Sequence, residues 1–432
     1  MTRRILTVAV AALTGISLLP AQPATAADSY TFFGGGYGHG IGMSQWGAYG
    51  LVGKGWGANR IMKHYFQGTR VRELAPPAKL FRIGLVQHGS ELNLTATAGR
   101  MRLELTDGTF VSAVGAGGSR RIRITKGQRY RVIRPDGSVV GNKAWGGPNL
   151  HLRARRKSGG VIKVAEWDGG RSIGRGYLEF DIVGAQAAHV VAVVTPESYL
   201  YGIAEVWAGW PAKALQVQAM ASRTYAYHKV RANPKQRQDG CSCGLYSSTR
   251  DQYFVGRDKE TGQYGDRWVS AVRATRRRVV TYSGRPILAM YSSSSGGFTE
   301  HNENIWGGSA EPYLRGRCDP GDFVRDNVHR TWKVTLSASD AAAKLRSAFG
   351  WNISRVTQID VRRRGVSGRV LEATIRGRNS SGDRVAFTKS GWDLRNAFGL
   401  EDMRYWVNRN YLVTARIRRA YDALMCRPKL PR

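Results

Sequence analysis

The stretch from residue 194 to residue 227 restricts the fold most, because two prolines in it limit where helices can begin. Pro196 follows Thr195, whose hydroxyl can cap a helix, and proline is well tolerated at the first helical position. The first predicted helix ends near Glu205, and an aromatic turn, Val-Trp-Ala-Gly-Trp, leads to Pro211. Small and apolar residues recur at helical spacing after this proline. The stretch therefore predicts two closely packed helices joined by a short aromatic turn.

Glu205 is an unusual residue for the end of a helix. A carboxylate there faces the negative pole of the helix dipole, and we expect Trp207 and Trp210 to exclude water from it. Both effects favour the neutral acid and raise its pKa, as a general acid that works near neutral pH requires. The alternative is a solvated helix-end residue with Arg223 as its surface partner. The residues alone leave both interpretations open.

The stretch carries a longer motif. The chain has Pro-Glu-Ser-Tyr at 196–199, Ala-Glu at 204–205 and Pro-Ala-Lys-Ala-Leu-Gln-Val-Gln-Ala-Met-Ala-Ser-Arg-Thr-Tyr at 211–225. This resembles the core motif of the SpoIID/LytB family of bacterial cell-wall proteins, roughly P-x-E-x-Y, A-E and P-x-E-A-L-K-A-Q-A-x-A-x-R-T-Y. The resemblance implies that Glu205 is catalytic and that Arg223 orients it. The family often has Glu-Met-Pro where this chain has Glu-Val-Trp, which bears on substrate preference more than on chemistry.

A glycine-rich segment, residues 27–75, contains the run GHGIGMSQWGA. Glycine permits turns and close backbone approaches that other residues resist, and a lone histidine in such a loop is usually not a ligand. The run resembles the family signature G-H-G-V-G-M-S-Q-x-G-A, which implies that His39, Ser44 and Gln45 lie in the cleft and bind substrate. In most relatives we expect this signature near the C-terminal end of the domain. The resemblance therefore implies a permuted arrangement, in which the segment docks onto the catalytic domain.

The rest of the chain divides into a β-rich part and a mixed part. Residues 76–184 alternate apolar and polar side chains between Asp-Gly, Gly-Gly and Lys-Gly turns, which is typical of antiparallel strands. We expect a small inserted antiparallel β module there, a scaffold or wall-binding unit with no catalytic constellation. The resemblance implies an α+β fold class and a SpoIID/LytB-like catalytic domain at 185–409, in which residues 247–253 resemble the family's polar D-x-x-x-Q-x-Y segment. Residues 410–432 form a basic C-terminal tail.

A serine run at 291–299, Tyr-Ser-Ser-Ser-Ser-Gly-Gly-Phe-Thr, is too polar for a core strand. A serine run alone is usually a loop. This one resembles the family's Y-S-S-S-S-G-G-x-T, which lines the cleft and is followed by Trp-Gly and Pro-Tyr-Leu. Hydroxyls and tyrosines suit the hydroxyl and acetamido groups of sugars. The resemblance thus implies that Tyr291, Ser293, Ser294 and Tyr313 bind substrate.

The first 26 residues are typical of a signal peptide. Arg3 and Arg4 precede an apolar run that is too short for a transmembrane helix, and Ala-Thr-Ala at 24–26 offers a cleavage site. The sequence therefore predicts a secreted or wall-associated protein, with an uncleaved anchor as the alternative.

The formal net charge of +35 indicates an acidic partner. An exported bacterial protein meets anionic wall polymers and membrane surfaces rather than its own genome. No basic recognition helix or nucleic-acid motif is present in the sequence, so nucleic acid is not an expected partner.

Four cysteines in an exported chain favour disulfides over free thiols. Cys241 and Cys243 are too close in sequence for an easy mutual bridge, so Cys318 and Cys426 are candidate partners, although the pairing cannot be deduced. The usual two-residue spacer of a cysteine zinc site is absent. We therefore predict no metal site and no cofactor.

The number of carboxyl groups bears on the reaction. Glycoside hydrolysis ordinarily uses two at a defined separation, and the motif offers one convincing glutamate, Glu205. SpoIID-like proteins are lytic transglycosylases, in which the C6 hydroxyl of muramic acid attacks C1 and leaves a 1,6-anhydro sugar. The resemblance implies this cleavage of the MurNAc-GlcNAc bond in peptidoglycan glycan strands. The alternatives are a non-catalytic, wall-binding enhancer of a cell-wall amidase and a hydrolase that pairs Glu205 with Glu300 or Glu303.

Overall fold

The computed structural model describes residues 29–408. The predicted signal peptide and basic tail lie outside the described residues, and so does Cys426. Within the described part, helices are interspersed with several sheets, which confirms the α+β class. None of the helices in that part combines the length and the apolar character that crossing a membrane requires.

Short helices and strands of very different length follow one another along the described part of the chain. The strands are β1 (Ser29–Gly34), β2 (Met43–Ser44), β3 (Arg70–Glu73), β4 (Phe81–Gly89), β5 (Glu91–Leu105), β6 (Phe110–Val114), β7 (Ser119–Ile124), β8 (Tyr130–Ile133), β9 (Leu152–Val164), β10 (Ser172–Ile173), β11 (Tyr177–Val183), β12 (Ala187–Val194), β13 (Leu245–Tyr246), β14 (Arg278–Tyr282), β15 (Arg285–Pro286), β16 (Tyr291–Ser292), β17 (Trp332–Ser337), β18 (Arg355–Arg364), β19 (Val370–Arg378), β20 (Arg384–Ser390) and β21 (Tyr405–Asn408). The helices are α1 (Gln45–Gly53), α2 (Ala58–Tyr65), α3 (Pro196–Tyr201), α4 (Ala212–Ala232), α5 (Arg257–Thr261), α6 (Gly265–Ala274), α7 (Asn302–Trp306), α8 (Ala338–Phe349) and α9 (Gly391–Phe398).

The largest sheet runs in the order β13-β4-β12-β11-β9-β5-β7-β8, with β10 beside β9 and β6 beside β5. Its pairs are antiparallel except β13 with β4. In β5, Leu92, Leu94 and Ala96 alternate with more exposed residues, as expected of a sheet with one buried face. The apolar face belongs to the same hydrophobic core as α3, α4 and α6. The sheet therefore continues across residue 184, because β12 lies between β11 and β4.

The N-terminal segment contributes a strand to three other sheets. β1 pairs with β17 and β21, β2 runs parallel to β16, and β3 pairs with β14. The fifth sheet, β18-β19-β20, shares a second hydrophobic core with β1, α8 and α9. The run GHGIGMSQWGA thus lies directly against the serine run.

The first helix of the 194–227 stretch is shorter than expected. Thr195 caps it as predicted, but α3 ends at Tyr201. Gly202 follows, and a Cβ atom at this position would lie 2.3 Å from the ring of Phe254. The loop after the helix is then held by a bridge between Ile203 and Phe254. Glu205 therefore lies in this loop rather than at the helix end.

The expectation that Cys241 and Cys243 are too close in sequence to bridge each other is wrong. Cys241 and Cys243 form a disulfide with each other, and their Cα atoms are 5.1 Å apart. Gly84 lies beneath the bridge, where a Cβ atom would come within 2.7 Å of both sulfurs. The missing side chain of Gly84 thus makes room for the bridge. Cys318 is also disulfide-bonded.

Candidate active site

A cavity of about 400 Å³ lies where the glycine-rich segment, the loop after α3 and the serine run meet. The predicted site residues that line it are His39, Gln45, Glu205, Tyr291 and Ser293. The other lining residues are Tyr37, Gly38, Tyr225, Thr249, Arg250, Asp251, Met290, Ser292, Trp306 and Trp392.

Glu205 is partly buried in the wall of this cavity, and this desolvation raises the pKa of its carboxyl group. The backbone N–H of Tyr253 donates to its Oε1 over 2.6 Å, and this hydrogen bond opposes the rise. Trp207 does not cover it, because this side chain is 57% exposed. The helix dipole is also a minor influence, since α3 ends four residues earlier. Desolvation by the whole cavity wall is the cause, and it favours a protonated acid.

Tyr291 is the hydroxyl partner of this acid. Its side chain hydrogen-bonds to Glu205, and burial raises the pKa of Tyr291 well above its usual value, so the phenol stays neutral. Gln252 donates to the Tyr291 hydroxyl from Nε2 over 2.7 Å. Because the hydroxyl accepts from Gln252, its own proton is available to Glu205. Tyr291 is therefore a donor that stabilises the carboxylate form.

A chain of amides and hydroxyls supports the site from α1 and α4. Gln45 donates to the backbone oxygen of Glu205 over 3.2 Å and lies 3.4 Å from Oε1 of Gln218. Gln218 donates in turn to Ser222 over 3.0 Å, and Ser222 hydrogen-bonds to Tyr291. Gln218 and Ser222 are one helical turn apart, so they share a face of α4. Side chains from α1 and α4, which are 173 residues apart in sequence at this contact, thus fix the cavity wall.

Lys259 is a cation near the acid that sequence reasoning missed. Its Nζ donates to the backbone oxygen of Val206 over 2.5 Å. Burial lowers the pKa of Lys259 to about 8, although the charge of Glu205 acts in the opposite direction. The lysine in turn lowers the pKa of Glu205, as the last of the resolved influences on it. No sequence motif marks Lys259, since it comes from α5, more than fifty residues away.

Asp251 is a second carboxyl group in the cavity wall and was also missed. Tyr225 donates to its Oδ1 over 2.7 Å, the N–H of Tyr246 donates to Oδ2 over 2.8 Å, and Lys229 lies 3.1 Å from Oδ1. Its side chain is only 1% exposed. Both carboxylate oxygens of Asp251 are therefore engaged in structural contacts within the protein. The sequence feature that could have identified Asp251 is its position in the polar segment 247–253.

The surroundings of His39 favour its neutral form. Its Nδ1 accepts the N–H of Ile41 over 2.9 Å, and the ring also hydrogen-bonds to the backbone of Tyr291. Burial and the nearby charge of Arg369 lower the pKa of His39 to about 3. The imidazole therefore ties the glycine-rich loop to β16 and does not act as a cation. Within the described part of the chain, no three His, Cys, Asp or Glu side chains are grouped closely enough to hold a metal ion.

Comparison with known proteins agrees with the motifs. Residues 185–282 match the family model SpoIID, described as stage II sporulation protein. Stage II sporulation protein D of Bacillus amyloliquefaciens is 28% identical over 232 residues, which cover 51% of this chain and 62% of that protein. The amidase enhancer of Bacillus subtilis (strain 168) is 29% identical over 171 residues, 39% of this chain and 21% of that protein. These matches support the resemblance to the SpoIID/LytB family, with the family model covering residues 185–282.

The likeness is partial in length. An uncharacterized protein of Brachyspira hyodysenteriae (strain ATCC 49526 / WA1) is 32% identical over 129 residues, 29% of this chain and 33% of that protein. The chain therefore spans from about a fifth to about three fifths of these relatives. Glu205 lies inside the part matched by the SpoIID family model, whereas His39, Gln45 and Tyr291 lie outside it.

Arg223 does not lie beside Glu205. Its guanidinium makes a bidentate pair with Glu197, at 3.1 and 2.9 Å, and its remaining hydrogen bonds go to Thr275, Val272 and Arg278. The side chain is completely buried. Because all its donors are engaged, the expectation that Arg223 orients Glu205 is replaced by a structural role. Arg223 thus joins α4 to α3 and α6.

Ser44 and Ser294 are also structural here. Ser44 caps α1 and donates to Oδ1 of Asp322 over 2.7 Å. Ser294 donates to Oδ2 of the same carboxylate over 2.8 Å and accepts from Asn327. Both serines are buried and neither lines the cavity. They bind the glycine-rich segment to the serine run through Asp322, rather than presenting hydroxyls to a ligand.

Tyr313 faces a different cavity from the one that contains Glu205. It lines a space of about 350 Å³ at the C-terminal end of α4, and its ring centroid lies 5.7 Å from that of Tyr282. Its expected contact with a sugar in the Glu205 cavity therefore has no support in the geometry.

The carboxyl partners that a hydrolase would need are engaged elsewhere. Glu300 is fully buried and accepts hydrogen bonds from Ser367 and from the N–H groups of His301 and Val366. Glu303 pairs with Arg315, whose hydrogen bonds lower the pKa of Glu303 to about 2. Neither glutamate lines the cavity that contains Glu205.

Proposed function

We propose that this protein is an exported lytic transglycosylase that cleaves the MurNAc-GlcNAc bond of peptidoglycan glycan strands. The observation that carries the proposal is the protonated state that burial favours for Glu205 in the wall of a 400 Å³ cavity. A general acid needs a pKa near the working pH. The signal peptide pattern and the high positive charge support a location at the anionic wall.

The reaction uses Glu205 twice. As the neutral acid, it gives its proton to the glycosidic oxygen while the bond from C1 to that oxygen breaks. As the carboxylate, it takes the proton from the C6 hydroxyl of the same muramic acid while that oxygen bonds to C1. The product is a 1,6-anhydro sugar, and the acid is regenerated without water. The hydrogen bonds from Tyr253 and Tyr291 stabilise the carboxylate between the two steps.

The state of the other carboxyl groups supports a route without water. Asp251 shares the cavity, but its oxygens accept from Tyr225 and Tyr246 and pair with Lys229. A base that activates water needs a free lone pair directed at that water. The buried, paired oxygens of Asp251 are poorly suited to this task. We therefore favour the intramolecular attack over hydrolysis.

The test is the variant Glu205→Gln, compared with wild type on purified glycan strands with and without stem peptides. We expect wild type to release soluble fragments with 1,6-anhydro ends, identified by mass spectrometry, and the variant to release almost none. Glu303→Gln is the matched control, because it makes the same change outside the cavity, and it should retain activity. Anhydro products from Glu205→Gln would refute the proposed chemistry. New reducing ends from wild type would identify a hydrolase instead.

A second candidate function is a non-catalytic enhancer of a cell-wall amidase. The observation that favours it is the similarity to the amidase enhancer of Bacillus subtilis over 39% of this chain. An enhancer would sediment with wall material and stimulate an added amidase without releasing sugar fragments. Under this function, Glu205→Gln would stimulate the amidase as well as wild type does.

A further inference from the structure

The cavity that contains Tyr313 has the composition of a binding site. His228 and Arg231 come from the end of α4, and Arg285 and Pro286 come from β15. Tyr282 and Tyr313 form an aromatic wall, with ring planes inclined by 48°. The space of about 350 Å³, which is open to solvent, accommodates a small polar group with part of its carrier. This site is separate from the Glu205 cavity and shares no lining residue with it.

The two arginines of this cavity are available to a ligand. Both are exposed, and within the described ranges neither guanidinium has a carboxylate partner or a hydrogen bond. By contrast, many other arginines of the chain are paired, as Arg175 is with Glu260 and Arg315 is with Glu303. Two unneutralised guanidinium groups at one cavity attract an anion strongly.

The surrounding groups are held in place by the fold. His228 Nδ1 lies 3.0 Å from the backbone oxygen of Pro286, which joins α4 to β15. The hydroxyl of Tyr313 is held by the backbone of Leu288 and by Glu311. Tyr313 is therefore held in place, whereas the long side chains of Arg231 and Arg285 have to be ordered on binding. A fixed aromatic ring beside mobile cations suits a charged group on a flexible carrier.

We propose that this second cavity binds a phosphate group of an anionic polymer whose units are joined by phosphodiester bonds. The two guanidinium groups approach from different elements, the end of α4 and the hairpin β14-β15. A planar carboxylate is satisfied by one guanidinium, whereas phosphate oxygens point in several directions and can accept from two. The tyrosine faces provide contact for the polyol or sugar that carries the phosphate. The proposal does not depend on the chemistry of Glu205.

The second cavity lies close to the Glu205 cavity, so a polymer bound there would affect where the Glu205 cavity is held. Arg285 and Tyr291 are six residues apart, so their Cα atoms lie within about 20 Å of each other. On α4, Arg231 lies nine residues beyond Ser222, about 14 Å along the axis. A polymer held at the second cavity would thus keep the Glu205 cavity close to the wall. The second site acts as a tether rather than as part of the catalytic machinery.

The test is isothermal titration with short poly(glycerol phosphate) as the probe, in wild type and in Arg231→Gln/Arg285→Gln. The double variant should bind about a hundredfold more weakly, since it loses two charge-assisted hydrogen bonds and each loss costs about tenfold. Arg129→Gln/Arg131→Gln is the matched control, because it removes the same charge from exposed positions near and within β8. The control should bind within about twofold of wild type, because diffuse attraction between exposed charges is largely screened by salt.

Two results would overturn the proposal. Equal loss of affinity in both double variants would mean that the positive surface as a whole attracts the polymer. Binding of an oligogalacturonate of equal charge as tightly as poly(glycerol phosphate) would mean that the cavity does not select phosphate. All four substituted side chains are exposed, and thermal unfolding should confirm that both variants are folded. The titration measures no sugar cleavage, so a failure of the proposed transglycosylase would leave its result unchanged.

Discussion

Replacing Arg223 by glutamine separates a structural role from a catalytic one. The arginine is completely buried and donates five hydrogen bonds, two of them to Glu197. Removing one partner of a buried ion pair typically costs about 3–5 kcal/mol. The side chain of Glu197 is 22% exposed, so water can partly solvate the charge left behind. We therefore expect Arg223→Gln to lower the free energy of unfolding by about 3 kcal/mol, at the lower end of that range.

The assay measures stability and turnover on the same samples. Urea unfolding followed by circular dichroism gives the midpoint, and release of sugar fragments gives the rate for each folded molecule. Arg223→Gln should lower the midpoint and keep most of the turnover, whereas Glu205→Gln should lose turnover. Arg276→Gln is the matched control, because this arginine is exposed, and its effect on stability should stay within about 0.5 kcal/mol.

Two results would contradict this reasoning. If Arg223→Gln unfolds at the wild-type urea concentration and yet loses turnover, the arginine acts on the reaction and the ion pair with Glu197 is not its role. Wild-type stability in Arg223→Lys would also contradict the proposed role of the ion pair, because lysine cannot make the bidentate contact with Glu197. Arg223→Lys should therefore fall between wild type and Arg223→Gln.

Two further predictions concern protonation. Tyr291→Phe removes a hydrogen bond that lowers the pKa of Glu205, so the pH at which turnover falls on the alkaline side should move upward, as a pH-rate profile would show. Burial and the charge of Asp322 raise the pKa of Asp319 from 3.8 to about 7. The folded state therefore favours the neutral acid, and the stability it provides is complete below pH 3.8 and is lost as the pH rises through 7. Asp319→Asn should flatten this dependence in urea unfolding at several pH values, and an unchanged slope would contradict it.

Local patterns in the sequence are sufficient to predict several elements. Small residues at helical spacing predict α4, and the alternation of Leu92, Leu94 and Ala96 predicts a strand with one buried face. Thr195 is predicted as the cap of α3, and its hydroxyl accepts the N–H of Ser198. Each of these features depends on neighbours within a few residues. They are predictable because no distant contact has to be known.

Features that depend on distant contacts could not be predicted. The end of α3 is set by Phe254, which packs on Gly202 from fifty residues away. The partner of Arg223 is Glu197, on the preceding helix, although the sequence favours Glu205. The bridge between Cys241 and Cys243 needs the space left by Gly84 on another strand. Sequence spacing alone does not contain these packing conditions.

The glycines of the run GHGIGMSQWGA allow the glycine-rich segment to approach the serine run, and the proposed cleft depends on this approach. Gly42 has φ +71°, and a Cβ atom there would lie 2.2 Å from the backbone oxygen of Met290. At Gly38, with φ +116°, a Cβ atom would lie 2.8 Å from Cβ of Ser292. Larger residues would push β2 away from β16, and Gln45 directly follows β2. Since Gln45 contacts the backbone of Glu205, the burial of this acid depends on these glycines, which allow the glycine-rich segment to pack against the serine run.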